Sequence, residues 1–296
     1  MDRFQAFIIR YNTPMYQLAN LTPVDYLVIG HITRDLTPEG GRLGGTATYS
    51  ALTAAALGLR VGIVTSWGED VPINDLRHIP IANYPTEAST SFENIHTGHQ
   101  RIQFVHTVAP TLHLNMIPDP WRNPAIVHIG PIAQEVDPSL VRNFPSSLIG
   151  VTAQGYLRKW DPTGRVGISE WPESTFVLQR AGACLISVDD VGGDEDRIND
   201  MASSCRILVV TESDQGSRLY WNGDVRRFHP PKVSMVDDTG AGDIFAASFL
   251  TRLYTTRDPW EAARFATMLA SYSVTRRGLQ GIPTPEEIEE CMVEVF

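Results

Sequence analysis

Residues 236–253 read Val-Asp-Asp-Thr-Gly-Ala-Gly-Asp and then Ile-Phe-Ala-Ala-Ser-Phe-Leu-Thr-Arg-Leu, a turn followed by an apolar run that predicts a helix. Thr239 is of the N-capping type. Gly240, Ala241 and Gly242 place three nearly bare residues where a helix start leaves its N–H groups without intrahelical partners. Such a terminus suits an anion. Asp243 falls in the first turn, where the tilt of helical Cα–Cβ bonds leans its carboxylate back toward those N–H groups. The helix dipole is expected to keep it ionised. A base beside an anion cradle fits one chemistry: removal of a proton from a hydroxyl while a phosphoryl group arrives on its oxygen. A tight loop with a capped helix would use the same letters, so the rest of the chain has to discriminate.

The 296 residues can form one large α/β domain or two small ones, and 43% hydrophobic residues can supply a substantial core. A net charge of −10 disfavours nucleic acid or an anionic membrane as a partner. No segment approaches the roughly 20 apolar residues of a membrane span. Cys184, Cys205 and Cys291 stand far apart, without C-x-x-C or a zinc spacing, and read as reduced thiols of a cytoplasmic protein. Residues 1–24 read as an N-terminal extension, an arm lying on the domain or on a second subunit, with monomer and homodimer both open.

The elements that must position the turn follow a β-α-β pattern. Short apolar runs at 26–30, 60–65, 125–129, 147–151, 184–188 and 206–210 read as buried parallel strands. A small-residue helix over 46–57 closes on Gly58, and residues 37–45, rich in glycine, read as a loop. Each strand ends in Gly or polar residues, and in an open parallel sheet ligands sit at those carboxyl ends. Runs at 91–95 and 101–106 alternate polar and apolar around Gly98 and predict a hairpin. Its histidines lack carboxylate or Cys companions at ligand spacing, which argues against a metal. Arg158, in the turn-rich connection 156–164, can reach toward the same sheet edge.

The turn over residues 237–243 resembles the DTxGAGD signature of the PfkB/ribokinase family of carbohydrate kinases, and the ordered clusters over residues 26–293 resemble that family's layout. The resemblance implies a ribokinase-like three-layer α/β/α sandwich with a mostly parallel central sheet and a small β-lid. Residues 25–296 would be the kinase domain, with lid segments near 36–44 and 86–118. It implies an ATP-dependent kinase using Mg²⁺ and acting on a hydroxyl of a sugar, polyol or nucleoside. Asp243 would be the general base and Gly240, Ala241 and Gly242 the anion hole. Asp237 would belong, as in many members, beside a monovalent cation such as K⁺. Asp35, Gly44 and Gly45 would bind the acceptor. Thr33 and Tyr49 stand where the family has Asn, and Arg101 is a further acceptor candidate. By residue type alone, Tyr49 reads more readily as a helix-core aromatic, and Arg101 as a solvated outer-face residue.

On the nucleotide side, Thr211, Ser213 and Gly216 occupy the family's T-x-G-x-x-G turn, with Glu212 expected to point outward into solvent. Thr267 and Gly278 would flank adenine. Ser187-Val-Asp-Asp190 stands in place of NxxE, with Asp190 serving a hydrated Mg²⁺. The Ser-x-Asp-Asp, the aromatic Tyr49 and the Arg-x-x-Asp-Pro from Arg158 resemble the inositol-kinase branch. A nucleoside kinase of the same fold and a non-catalytic sugar- or nucleotide-binding member remain alternatives. A dinucleotide oxidoreductase does not fit, because the first strand leads to Gly-His-Ile-Thr-Arg-Asp and not to GxGxxG.

Overall fold

The computed structural model describes residues 8–10 and 21–292, apart from residues 39, 69, 71, 98 and 99. Its strands in chain order are β1 (Ile8–Arg10), β2 (Tyr26–Ile29), β3 (Thr33–Thr37), β4 (Gly40–Gly44), β5 (Val61–Trp67), β6 (Ile81–Pro85), β7 (Thr90–Thr97) and β8 (Gln100–Thr107). There follow β9 (Ile126–Ile129), β10 (Leu148–Thr152), β11 (Arg158–Trp160), β12 (Val166–Ile168), β13 (Ala183–Ser187), β14 (Ile207–Thr211), β15 (Ser217–Trp221) and β16 (Asp224–Phe228). The helices are α1 (Thr46–Ala56), α2 (Ser174–Leu178), α3 (Glu195–Ser204), α4 (Ala241–Thr256), α5 (Pro259–Ser273) and α6 (Pro285–Met292). Among the described residues no helix is long and apolar enough to cross a membrane.

The central sheet runs β1-β6-β5-β2-β9-β10-β13-β14-β15-β16. Pairing is parallel from β1 through β14 in that order, and β15 and β16 close one edge as an antiparallel pair. The four residues of β2 are all fully buried, which is why Tyr-Leu-Val-Ile carries no polar alternation. Period-two geometry then divides them between two cores. Tyr26 and Val28 join Phe245, Phe249 and Leu250 on one face, while Leu27 and Ile29 join Trp121 and Phe144 on the other. Helix α4 lies close to the sheet because β10 has no side chain at Gly150, where a Cβ would come 2.3 Å from Leu250 Cδ1. Helix α5 starts on Asp258, whose carboxylate accepts the Trp260 N–H at 2.8 Å ahead of a Pro-first turn.

A second, separate sheet, β4-β3-β7-β8, falls over the segments expected to form the lid. The glycine-rich run expected to be a loop is strand β4, paired antiparallel to β3 with Asp35 opposite Arg42. The glycines are there for room: a Cβ on Gly41 would meet Arg34 Nε at 2.4 Å, and one on Gly44 would meet Asp35 Oδ2 at 2.3 Å. Residues 8–10 extend the main sheet by pairing with β6, so this part of the N-terminal segment is structured.

Under the strand ends, His128 of β9 is fully buried, with Nδ1 2.9 Å from the Tyr26 hydroxyl and Nε2 3.1 Å from the Thr152 hydroxyl. Burial pushes its pKa down from 6.5 to about 3, so the folded protein refuses a proton that the unfolded chain accepts. That difference lowers stability as pH falls from about 6.5 toward 3, at about 1.4 kcal/mol per pH unit for one site. Urea unfolding at pH 7, 6 and 5 is expected to show a shallower acid loss in His128→Gln than in the wild type, by about one proton's slope. Equal slopes would show that His128 does not titrate on unfolding.

Candidate active site

The site forms where α1 meets α4. Gly240 is left-handed (φ 80°) and serves as the N-cap of α4, and no side chain caps the helix. This corrects the expectation that Thr239 is the cap. The left-handed turn brings the Ala241 N–H to Asp238 O at 3.1 Å and the Ile244 N–H to Gly240 O at 2.9 Å. Gly240 has no alternative, since a Cβ would fall 2.2 Å from Tyr49 Cδ1. A Cβ on Gly242 would meet nothing within 4 Å, so the cradle opens on that side.

Helix α1 touches this turn through three residues spaced i, i+3, i+4, which share one face of a helix. The Thr46 hydroxyl donates to the Asp243 carboxylate, Tyr49 lies against Gly240, and the Ser50 hydroxyl donates to Asp243 O at 3.3 Å. Thr46 and Ser50 escaped the sequence reading, although their spacing around Tyr49 was visible. Tyr49 is only 3% exposed, and a Cβ on Gly278 would lie 3.7 Å from its hydroxyl. Burial first, then the charges of Asp35, Asp243 and Asp237, push its hydroxyl above the ordinary value, with Arg42 opposing. The ring therefore sits in the middle of the cluster and forms the bed of the turn.

Asp35 comes from lid strand β3, its carboxylate over Gly44 and its Oδ1 accepting the Thr33 hydroxyl at 3.1 Å. Gly45 is left-handed (φ 88°) and caps α1, with His31 O and the Thr33 side chain filling the space of a Cβ. Four of the expected acceptor residues, Thr33, Asp35, Gly44 and Gly45, thus converge at one point beside Tyr49. The side chain of Arg101 lies outside the described residues.

Asp243 is half-buried by accessible surface but tightly surrounded. Its pKa rises from 3.8 to about 6, first because burial disfavours the charge, and also through Asp35 and Asp190. The Thr46 hydroxyl and Arg158 pull the other way. Burial is thus the largest influence on Asp243, and with a pKa of about 6 the carboxylate is still mostly ionised at neutral pH.

The remaining candidates are divided. Asp237 Oδ1 accepts the Thr239 N–H and Oδ2 the Gly278 N–H, both at 3.0 Å, so its carboxylate clips the turn to the segment after α5. Asp190 Oδ2 accepts the Ser187 N–H at 2.8 Å and its Oδ1 the Gln154 amide at 3.4 Å. Among the described residues no three His, Cys, Asp or Glu side chains gather as a metal cage. Thr211 ends β14, and Ser213 (φ 51°) and Gly216 (φ 91°) shape the turn into β15. Glu212 does not point into solvent. It is 13% exposed and paired with Arg218 at 2.7 Å and Arg227 at 2.9 Å, cations that the unforeseen β15–β16 hairpin supplies. Thr267 is 4% exposed and bonds Ala263 O and Ser217 Oγ, so it braces α5 against β15 inside the protein.

A model of the pfkB family of carbohydrate kinases matches residues 181–287. The chain is 26% identical to an inositol 3-kinase of Oryza sativa subsp. japonica, with 90% of this chain and 72% of the relative covered. It is 27% identical to a cytidine kinase of Thermococcus kodakarensis over 77% of this chain and 87% of that one. Its fold matches a pyrophosphate-dependent kinase in the ribokinase family, solved with a pyrophosphate analogue and myo-inositol, at TM-score 0.73 and 18% identity, covering 89% and 99% of the two chains. The class so defined is a carbohydrate kinase on a ribokinase fold. The match to the pfkB family is carried by residues 181–287, which include the turn at 237–243.

An ionised Asp243 weakens the fold above its folded pKa, and both states are neutral well below 3.8, so the cost appears as pH rises through that interval. Asp243→Asn is therefore expected to be about 1–3 kcal/mol more stable than the wild type at pH 8 and to gain nothing below pH 4. Urea unfolding at the two pH values checks this. A variant less stable at pH 8 would contradict it.

Proposed function

We propose that the protein transfers a terminal phosphoryl group from ATP to a hydroxyl of an inositol-like polyol or a sugar. The observation that supports this reading is Asp243, its pKa raised by burial and by the charge of Asp35 beside Gly44, at the end of the side-chain-poor turn of residues 240–242. Asp35 and the Thr33 and Gly44 neighbourhood hold the acceptor's hydroxyls. Asp243 receives the proton of the attacking hydroxyl as its oxygen bonds to phosphorus. The phosphorus–oxygen bond to the donor breaks, and its electron pair leaves with the donor's remaining phosphate. The N–H groups at the start of α4 take the charge of the transferring oxygens.

The fit to Mg²⁺ is that of an ion carried mainly by phosphate oxygens, because the described residues form no cage and Asp190 is already engaged by Ser187 and Gln154. When bound, the ion would offset phosphate charge, and Asp190 is the residue that would help to hold it. Asp237 acts as the clip between residues 239 and 278, and no step is assigned to a monovalent cation. The polyol preference draws support from the inositol 3-kinase relative and from the myo-inositol complex of the structural neighbour. The same neighbour makes pyrophosphate a donor to be tested, and the cytidine kinase relative does so for nucleoside acceptors.

A coupled assay crossing Mg·ATP and pyrophosphate with myo-inositol, fructose, ribose and cytidine tests the reading. Turnover is expected with Mg·ATP and myo-inositol or a sugar, with an acid limb near pH 6 and a plateau above it. Asp243→Asn is expected to lose about 10²- to 10⁴-fold in kcat while retaining donor binding. Undiminished turnover in that variant would overturn the assignment of the base.

A further inference from the structure

The hairpin β11–β12 straps the lid to the catalytic cluster. At its tip, the Val105 N–H of lid strand β8 donates to Gly164 O at 2.8 Å, and Phe104 bridges Arg165 in antiparallel fashion. Gly164 is left-handed (φ 85°), and a Cβ there would stand 2.3 Å from Val105 O, so the tip fits the lid only as glycine. Asp161 preforms the turn, its Oδ1 accepting from the Thr163 N–H, the Thr163 hydroxyl and the Arg165 N–H.

At the base of the strap is Arg158. Its Nη1 donates to Ile132 O at 3.2 Å, and its guanidinium carbon lies 5.7 Å from the centroid of the Phe92 ring on lid strand β7. The Gln134 side chain bonds its carbonyl oxygen. These contacts fix a half-buried cation between the lid and the strand ends. Its charge is felt at both Asp243 and Asp190.

We infer that Arg158 is a catalytic residue whose guanidinium meets the oxygens of the phosphoryl group in flight between donor and acceptor. The inference rests on the kinase reading above. Asp35, Asp190 and Asp243 bring three carboxylates to the path of an anionic group, which needs a matching cation there. A guanidinium is permanently charged and presents donors in a planar fork that suits phosphoryl oxygens. Arg158 neither takes nor gives a proton. The hydroxyl proton goes to Asp243, the new oxygen–phosphorus bond forms, and the old one leaves with its electron pair on the donor. The strap holds both the lid strands and Arg158.

A rival role is purely electrostatic, with Arg158 keeping Asp243 ionised among Asp35 on β3, Asp190 after β13 and the Thr46 hydroxyl on α1. The two roles separate in the pH profile of the full chain with Mg·ATP and the acceptor that gives turnover. Arg158→Gln is expected to lose about 10²- to 10³-fold in kcat on the high-pH plateau, with KM for ATP within about threefold. In Arg158→Ala, added guanidinium chloride at millimolar concentration is expected to restore part of the rate. Arg158→Lys keeps charge and bulk and covers the case in which Gln fails to melt cooperatively; loss of the fork is expected to cost it at least about tenfold. A Gln variant that regains the wild-type plateau at high pH, or a Lys variant equal to the wild type, overturns the inference and leaves the kinase reading standing. Absence of turnover in the wild type with every donor and acceptor overturns both.

Discussion

Gly240 turns left-handed against the ring of Tyr49, and the geometry of the candidate site is indexed to that contact. The turn aims the start of α4, the ring comes from α1, and the same face of α1 holds the Asp243 side chain through Thr46 and its backbone through Ser50. A bulkier residue at 240 or a shifted α1 would move the start of α4 and the Asp243 carboxylate together. Tyr49 thus resolves a question that its letter alone left open. It is a core aromatic, and its core is the underside of the site.

Charge balance is the second constraint. The charges of Asp35 and Asp190, on two other elements, act on Asp243, and burial raises it most of all. Proteins rarely leave such a group without hydroxyl and cation partners, and here Thr46 and Arg158 oppose the rise. Asp237 behaves differently because it stands apart from that pressure and accepts two backbone N–H groups, which hold it below the usual carboxylate value against its own burial. Similar carboxylates within one turn of sequence therefore have opposite protonation tendencies.

The sequence made the parallel strands, the α1 helix, the lid hairpin β7–β8 and the residues 237–243 turn legible because each is written in consecutive letters. It could not show contacts that depend on which face an element buries. Thr267 looked like a cleft residue by position, but α5 turns that face toward Ser217. Glu212 looked solvated until β15–β16 supplied Arg218 and Arg227. The glycine-rich run 40–44 resembled a loop because glycine is read as a breaker, whereas its glycines make room for Arg34 and Asp35 on the neighbouring strand. Thr239 lost the cap to Gly240 because a left-handed φ outranks a side-chain hydroxyl in setting the turn.

Ser50 and Asp243 meet across 193 positions of chain. A nascent polypeptide therefore displays Asp35 and Gly44 long before Asp243 and the turn at 240–242 have been synthesised. Parallel pairing already makes such topologies slow to assemble, since distant segments must meet before their contacts repay the closure entropy. The docking of α4 onto α1 comes after most of the sheet can exist, so a partly folded chain holds neither a buried Asp243 nor a formed turn at 240–242. Catalytic competence in this architecture is a late readout of complete folding, and truncated or stalled chains are silent by construction.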